Sequence, residues 1–282
     1  SAYHIKVAAR DTGTPNSALW LSSGNWNDSN QPVFDWSQPD EALAEKSDRD
    51  WHVVVFNDQL APTFKKYIDH DFAVAKQEND AVTSADVTEP LPQPLTSDDA
   101  TTAAAFTDFV QEVSIQDDMV ITPLLTPDPG VYAGRIKQLI DGATTSFDLQ
   151  LQYITSFAGA DDAAFDGLIQ SLAAAQQRGV ALRMIFSEFQ QEAILELMQE
   201  ANLAIDRDHV RIQNNVHNKG MLVDGTIAVV SSQNWSGDGV LRNRDAGLII
   251  ENAQVNAYFL ARFNYDWANL ATAKPTSSKA IA

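Results

Sequence analysis

Beyond residue 119, apolar runs of strand length alternate with stretches that repeat at helical spacing. Val120-Ile121 opens the region, and Ile136, Leu139 and Ile140 share one helical face between Tyr132 and Ile140. Phe147 to Ile154 alternates as a strand, and Phe165 to Gln177 reads as an amphipathic helix. Ala181 to Phe186 is an apolar run suited to a buried strand, Ala193 to Leu203 a further helix, and Val210-Arg211-Ile212 a short strand. Lys219–Val223 and Thr226–Ser231 then flank Asp224-Gly225, a dipeptide that between apolar runs signals a hairpin. Asp245–Ile250 is a further strand and Ala253–Leu270 a closing helix. Strands trading places with helices predict an α/β fold: a mixed sheet with helices on its faces.

The remainder is less regular. Residues 73–118 are rich in Asp, Glu, Thr, Pro and Ala, with Pro90-Leu91-Pro92-Gln93-Pro94 marking an extended polar connection. A helix is predicted over Ala103–Val113, and Lys274–Ala282 reads as a frayed tail. The expected organisation is therefore 1–72, a linker over 73–118, a complete unit over 119–273, and a tail over 274–282.

A sparse pattern links the first segment to the third. His4-Ile5-Lys6 leads to Asp11 and His217-Asn218-Lys219 leads to Asp224, both with the spacing His-x-Lys-x4-Asp. With five histidines, nine lysines and 28 aspartates in the chain, about 0.02 chance matches are expected. Matching segments follow: Ser22-Ser23-Gly24-Asn25-Trp26 and Ser231-Ser232-Gln233-Asn234-Trp235. Asp50, Asn57, Phe64, Asp71 and Phe72 each lie 195 residues before Asp245, Asn252, Phe259, Asp266 and Trp267. Duplication accounts for this.

These paired motifs, each with a Ser-Ser-x-Asn segment and a later aspartate, resemble the phospholipase D superfamily over residues 3–72 and 119–271. The resemblance implies two modules related by a pseudo-twofold axis, each a mixed sheet flanked by helices. It further implies a metal-independent phosphodiesterase, with a secreted or periplasmic location favoured. About 98 residues separate position 119 from His217, whereas three precede His4. The first module is therefore expected to lack its N-terminal part in this chain, either because a separate or cleaved fragment completes it or because the sequence is a truncated piece of a longer one. A sheet without those strands would show apolar faces and unpaired edges.

The chemistry follows from the residue types. On a strand, residues i and i+2 face the same side, so His4 points with Lys6 and His217 with Lys219. Two imidazoles and two ammonium groups around one cavity suit a phosphodiester. One histidine attacks phosphorus to give a phosphohistidine; the other protonates the leaving alkoxide and later takes a proton from water or an alcohol. The lysines neutralise charge on the phosphoryl oxygens, so no metal and no cofactor is implied. Asn25, Asn234, Ser23 and Ser232 are candidate phosphate-binding donors. By resemblance Asp50 and Asp245 contact the histidines, and the N-terminal His4 is the nucleophile with His217 as acid/base. Asp11 and Asp224, ending the motif strands, are expected to support the fold.

A net charge of −19 argues against nonspecific nucleic-acid binding and against unaided docking on anionic membranes. A phospholipid is thus the favoured phosphodiester, a nuclease the runner-up, and an inactive fragment or interaction module the reading from another class. No apolar run approaches the roughly 20 residues that span a bilayer, and there is no cysteine. Asp11 precedes Thr12 rather than glycine, so its turn is expected to differ from that at Asp224. The stretch from Asn25 to Asp50 is 14 residues longer than that from Asn234 to Asp245; it carries Trp36 and is a candidate lid.

Overall fold

The structure is a computed structural model and describes residues 3–31, 47–79, 114–127, 131–155, 162–188 and 192–273. The expected helix at Ala103–Val113, Trp36 of the long loop and the tail lie outside these. Three antiparallel strands lead: β1 (Val7–Arg10), β2 (Ala18–Ser22) and β3 (His52–Phe56), ordered β1-β2-β3. Helix α1 (Leu60–Asn79) follows, its first turn capped by Asn57 Oδ1, which accepts from the N–H of Gln59 and of Leu60. Because α1 is continuous, the expected boundary at 72/73 falls inside a helix, and the connection starts later than composition suggested.

The rest builds one mixed sheet. In chain order come β4 (Val120–Thr126), α2 (Val131–Gly142), β5 (Ser146–Tyr153), α3 (Asp162–Gln177), β6 (Ala181–Glu188), α4 (Glu192–Glu200) and β7 (Val210–Ile212). They are followed by β8 (Lys219–Val223), β9 (Ile227–Ser231), the short α5 (Gly237–Leu241), β10 (Asp245–Glu251), α6 (Ala253–Tyr265) and β11 (Thr272–Ala273). The eight strands lie in the order β11-β7-β6-β5-β8-β9-β10-β4. β5, β6 and β7 run parallel through helical crossovers, while β8, β9 and β10 form an antiparallel meander, joined as predicted by the Asp224-Gly225 turn. The closing helix reaches Leu270 as expected, but from Asp266 to Leu270 it widens from the α to the π form, with Asp266 buried.

Burial explains the layers. One face of the large sheet, through Phe147, Leu149, Leu151, Met221 and Val229, packs on Ile136, Ile140, Phe165, Leu168 and Met198 of α2, α3 and α4. The opposite face, through Leu222, Val230, Leu248 and Ile250, shares a second core with Leu19, Leu21, Trp51 and Phe64 and with Phe259 and Phe263 of α6. Each buried Phe or Leu there contributes roughly 1.5–3 kcal/mol, so this second core is what holds the two sheets together. Within it Trp51 lies against Gly220, where an added Cβ would lie 2.2 Å from the indole.

Sequence repetition acquires local causes here. Asn252 caps α6 as Asn57 caps α1, accepting from the N–H of Gln254 and of Val255. Phe64 and Phe259 fill the same shared core. Asp11 and Asp224 both hold left-handed backbone, at φ 48° and 50°, a conformation aspartate tolerates better than most residues. Asp224 is followed at once by Gly225, whereas the Asp11 turn is longer and places its glycine at Gly13. Thr12 in place of glycine did mark a differently built turn.

Candidate functional site

Both motif histidines sit just before their strands rather than on them. His4 precedes β1 by three residues and His217 precedes β8 by two. Each lies in an extended segment that crosses to the other half of the molecule. The His4 N–H donates to the carbonyl of Arg244 (2.9 Å), and the His217 N–H donates to that of Arg49 (3.0 Å). Isolated parallel bridges, Tyr3 with Arg244 and Arg49 with Val216, repeat the exchange one residue earlier.

The side chains are exchanged in the same way. His4 Nδ1 lies 2.7 Å from Asp245 Oδ1, and His217 Nδ1 lies 3.0 Å from Asp50 Oδ1. Each imidazole is therefore oriented by an aspartate from the opposite half. A carboxylate at Nδ1 fixes the neutral tautomer with its proton there and leaves the lone pair on Nε2. Ser23 Oγ donates to Asp50 Oδ1 and Ser232 Oγ to Asp245 Oδ1, both at 2.6 Å. Each serine is fully buried and has one hydroxyl proton, which here goes to a carboxylate. The geometry thus has these serines hold the acids, where phosphate binding had been expected.

The two sides are not equal. Asp50 has a third donor, Asn30 Nδ2 at 2.7 Å, whereas Asp245 Oδ2 is buried without a partner among the described residues. Burial alone would raise the Asp50 carboxyl, but the bonds from His217, Ser23 and Asn30 outweigh it and hold it below the usual range. The His4 side chain is 26% exposed and that of His217 7%.

Two lysines complete the cluster. Lys6 Nζ donates to the His4 carbonyl at 2.5 Å, and Lys219 Nζ to the His217 carbonyl at 2.5 Å and to Gln152 Oε1 at 3.2 Å. Burial pushes Lys6 down to about 8, against the pull of Asp245 and Asp50. Burial pushes Lys219 further, to about 7; Asp50 and Asp245 oppose the shift and Lys6 adds to it. Mutual influence of this kind places both lysines and both acids in one electrostatic unit.

Asn234 is buried near Tyr153 of β5, whose hydroxyl is raised by burial and by Asp245. Asn25 is half-buried beside Gly24, which abuts the Asp50 carboxylate. Asp224 accepts from the N–H groups of Thr144, Thr145 and Ser146 and stands outside the cluster, tying the hairpin to the start of β5. Asp11 is exposed and bonds through its carbonyl within its own loop.

Sequence reasoning missed Asn30, Gln152, Tyr153 and Thr126, whose Oγ1 accepts from the N–H of Asp245. None stands at a repeated position, so spacing carried no signal for them.

Residues 136–267 match the family model described as cardiolipin synthase, PLD-like domain. The chain is similar in fold to the phosphatidylserine synthase of Haemophilus influenzae Rd KW20, with a TM-score of 0.57 at 10% identity. That match covers 96% of this chain and 63% of the synthase, so the chain spans less than two thirds of that relative's length. Nuc from Salmonella typhimurium, described as a phospholipase D family member, matches at a TM-score of 0.46 and 18% identity over 56% of this chain and 100% of its own. Comparison with curated protein sequences finds no match.

Proposed function

We propose that this chain is a member of the phospholipase D superfamily, whose PLD-like family model matches residues 136–267, and that it is a metal-independent phosphodiester hydrolase or phosphatidyl transferase working through a phosphohistidine. The observation that carries the proposal is the crossed pair, His4 on Asp245 and His217 on Asp50, beside two buried lysines.

His4, the more exposed imidazole, acts as the nucleophile: neutral Nε2 attacks phosphorus, and the bond to the leaving alkoxide breaks. Protonated His217 delivers its proton to that alkoxide. Water or an alcohol then attacks phosphorus, His217 removes its proton, and the phosphorus–nitrogen bond breaks to restore His4. Lys6 and Lys219 offset charge on the phosphoryl oxygens. A bound phosphodiester draws both towards the ammonium form, against the burial that depresses them. Asn25 and Asn234 donate to the same oxygens.

A phospholipid is the proposed substrate, because a net charge of −19 opposes a polyanionic nucleic acid. Head-group release from phosphatidylcholine vesicles, run beside cleavage of a labelled oligonucleotide, tests it. Cleavage of the oligonucleotide alone would hand the assignment to a nuclease. Acid-labile phosphate trapped on His217 rather than His4 would reverse the roles of the histidines.

A partner is part of the proposal. β8 is paired on its outer side by β5, whereas the matching edge of β1 has no strand partner among the described residues. Val54 and Phe56 of β3 are exposed. An N-terminal segment built like residues 120–216 would pair with that edge and cover that face, completing the first module. If intact-mass analysis finds no second polypeptide and the chain alone is fully active, the partner is not required.

A further inference from the structure

Two ion pairs stand outside the chemistry yet repeat its crossed arrangement. Arg49 reaches Asp266 with a two-pronged contact, Nε to Oδ2 at 2.9 Å and Nη2 to Oδ1 at 2.6 Å. Arg244 Nη2 donates to Asp71 Oδ1 at 2.6 Å. Asp266 follows α6 and Asp71 lies in α1, so each arginine is bound to the helix that closes the other half. Arg49 directly precedes Asp50 and Arg244 directly precedes Asp245.

Three contacts of each Arg-Asp dipeptide therefore converge on one target. The carbonyl of Arg49 accepts from the His217 N–H, Asp50 takes His217 Nδ1, and the Arg49 guanidinium grips Asp266 of the same half as His217. The carbonyl of Arg244 accepts from the His4 N–H, Asp245 takes His4 Nδ1, and the guanidinium grips Asp71 of the half that carries His4. Backbone and ring of each histidine are thus set by a dipeptide whose own place is fixed by its arginine, through a two-pronged contact for Arg49 and a single bond to Asp71 for Arg244, whose Nη1 also donates to the Thr126 carbonyl. The Arg49 fork is directional and lysine cannot reproduce it, while Arg244 spans two acceptors that one ammonium group does not match.

We propose that Arg49 and Arg244 are positioning residues, each anchoring to the opposite half the dipeptide whose aspartate orients that half's histidine. The proposal rests on the phosphohistidine reading for its effect on rate, but its geometry can be tested without it. The two anchors are unequal. Asp266 also accepts from Gln150 Nε2 at 2.9 Å, whereas Asp71 Oδ2 is buried without a partner among the described residues. The clamp on His217 is the tighter.

Replacing each pair by apolar side chains avoids leaving a lone buried charge. The variants are R49M/D266L and R244M/D71L, with R49K and R244K retaining charge but not the guanidinium geometry. The Nδ1-bound protons of the two imidazoles are followed by NMR, and turnover is measured per folded molecule on whichever substrate the wild type cleaves. In R49M/D266L the His217 signal shifts or broadens while that of His4 stays. In R244M/D71L the pattern is mirrored. In each, kcat falls about tenfold to a hundredfold, as for small misplacement of a reacting group, with KM within about twofold. The lysine variants lie between the wild type and the apolar pairs. Both signals moving together, or neither moving in the folded single-site lysine variants, overturns the positioning role. If the wild type has no diesterase activity, the NMR arm still decides this inference while the functional reading fails on its own.

Discussion

The sheet β1-β2-β3 and the meander β8-β9-β10 share motif, strand direction and order, yet their outer faces meet different surroundings. Trp235 is fully buried and its Nε1 donates to the Tyr132 hydroxyl of α2. Trp26, at the matching place, is 72% exposed and rests on Trp20, with ring centroids 4.7 Å apart. Asp224 ties its hairpin to the start of β5, while Asp11 has no such segment to bind among the described residues. Lys219 is held by Gln152 of β5 and sits deeper than Lys6. The same motif is thus sealed in one half and open in the other. Local sequence sets the motif's shape, and the layer packed behind it sets burial, pKa and rigidity.

Removing either histidine gives the largest expected effect. His4→Ala and His217→Ala should each lower kcat/KM by at least ~10²–10⁴-fold. Steady-state kinetics on vesicles check this, and an unimpaired His4 variant would show that the open half takes no part. Next come the tryptophans. Trp235→Ala should cost about 3–5 kcal/mol in urea unfolding, from lost burial and the cavity left behind. Trp26→Ala should stay within about 0.5 kcal/mol. Equal costs would mean that Trp26 is covered in solution.

Gly220→Ala should cost about 1–3 kcal/mol, because Trp51 must move away from the new methyl group. Unchanged unfolding would show that the core between the sheets yields easily to an added methyl. Asp224→Ala should cost about 1–3 kcal/mol, through its lost backbone bonds and the left-handed backbone alanine must adopt, and Asp11→Ala about 1 kcal/mol from the left-handed backbone alone. The smallest signal is protonic. At pH 8 Lys219, at about 7, is mostly neutral, and Lys6, at about 8, is half charged. Binding of inorganic phosphate raises both, so the protein takes up protons, about one per site. Calorimetry in buffers of different ionisation enthalpy measures this, and Lys219→Met should remove more of the uptake than Lys6→Met. The sign for folding is also fixed. Both lysines lie below their unfolded value of 10.5, so the unfolded chain binds more protons and stability declines as pH falls from about 10 towards 7.

Much of the candidate site was legible in the chain, because the chemistry needs particular residue types at short spacing. His4, Lys6, His217 and Lys219 stand out by pattern, and Asp50 and Asp245 by repetition. The second half's elements were legible too, since periodicity reports burial on one face. Ser23 and Ser232 were legible as hydroxyl donors but not in what they donate to, because a hydroxyl's partner depends on what lies above it. Asn30, Gln152 and Tyr153 were invisible for the same reason.

Sequence by itself determined the duplication, the charge, the residue types of the chemistry and the local signals that cap α1 and α6 at Asn57 and Asn252. Tertiary structure alone decided the exchange. That Asp50 serves His217 and Asp245 serves His4, with Arg49 and Arg244 crossing in the same sense, cannot be read from spacing. Equal spacing fits pairing within a half as well as across it. The choice between them lies with the shared core around Trp51, Phe64 and Phe259, which fixes how the two sheets meet.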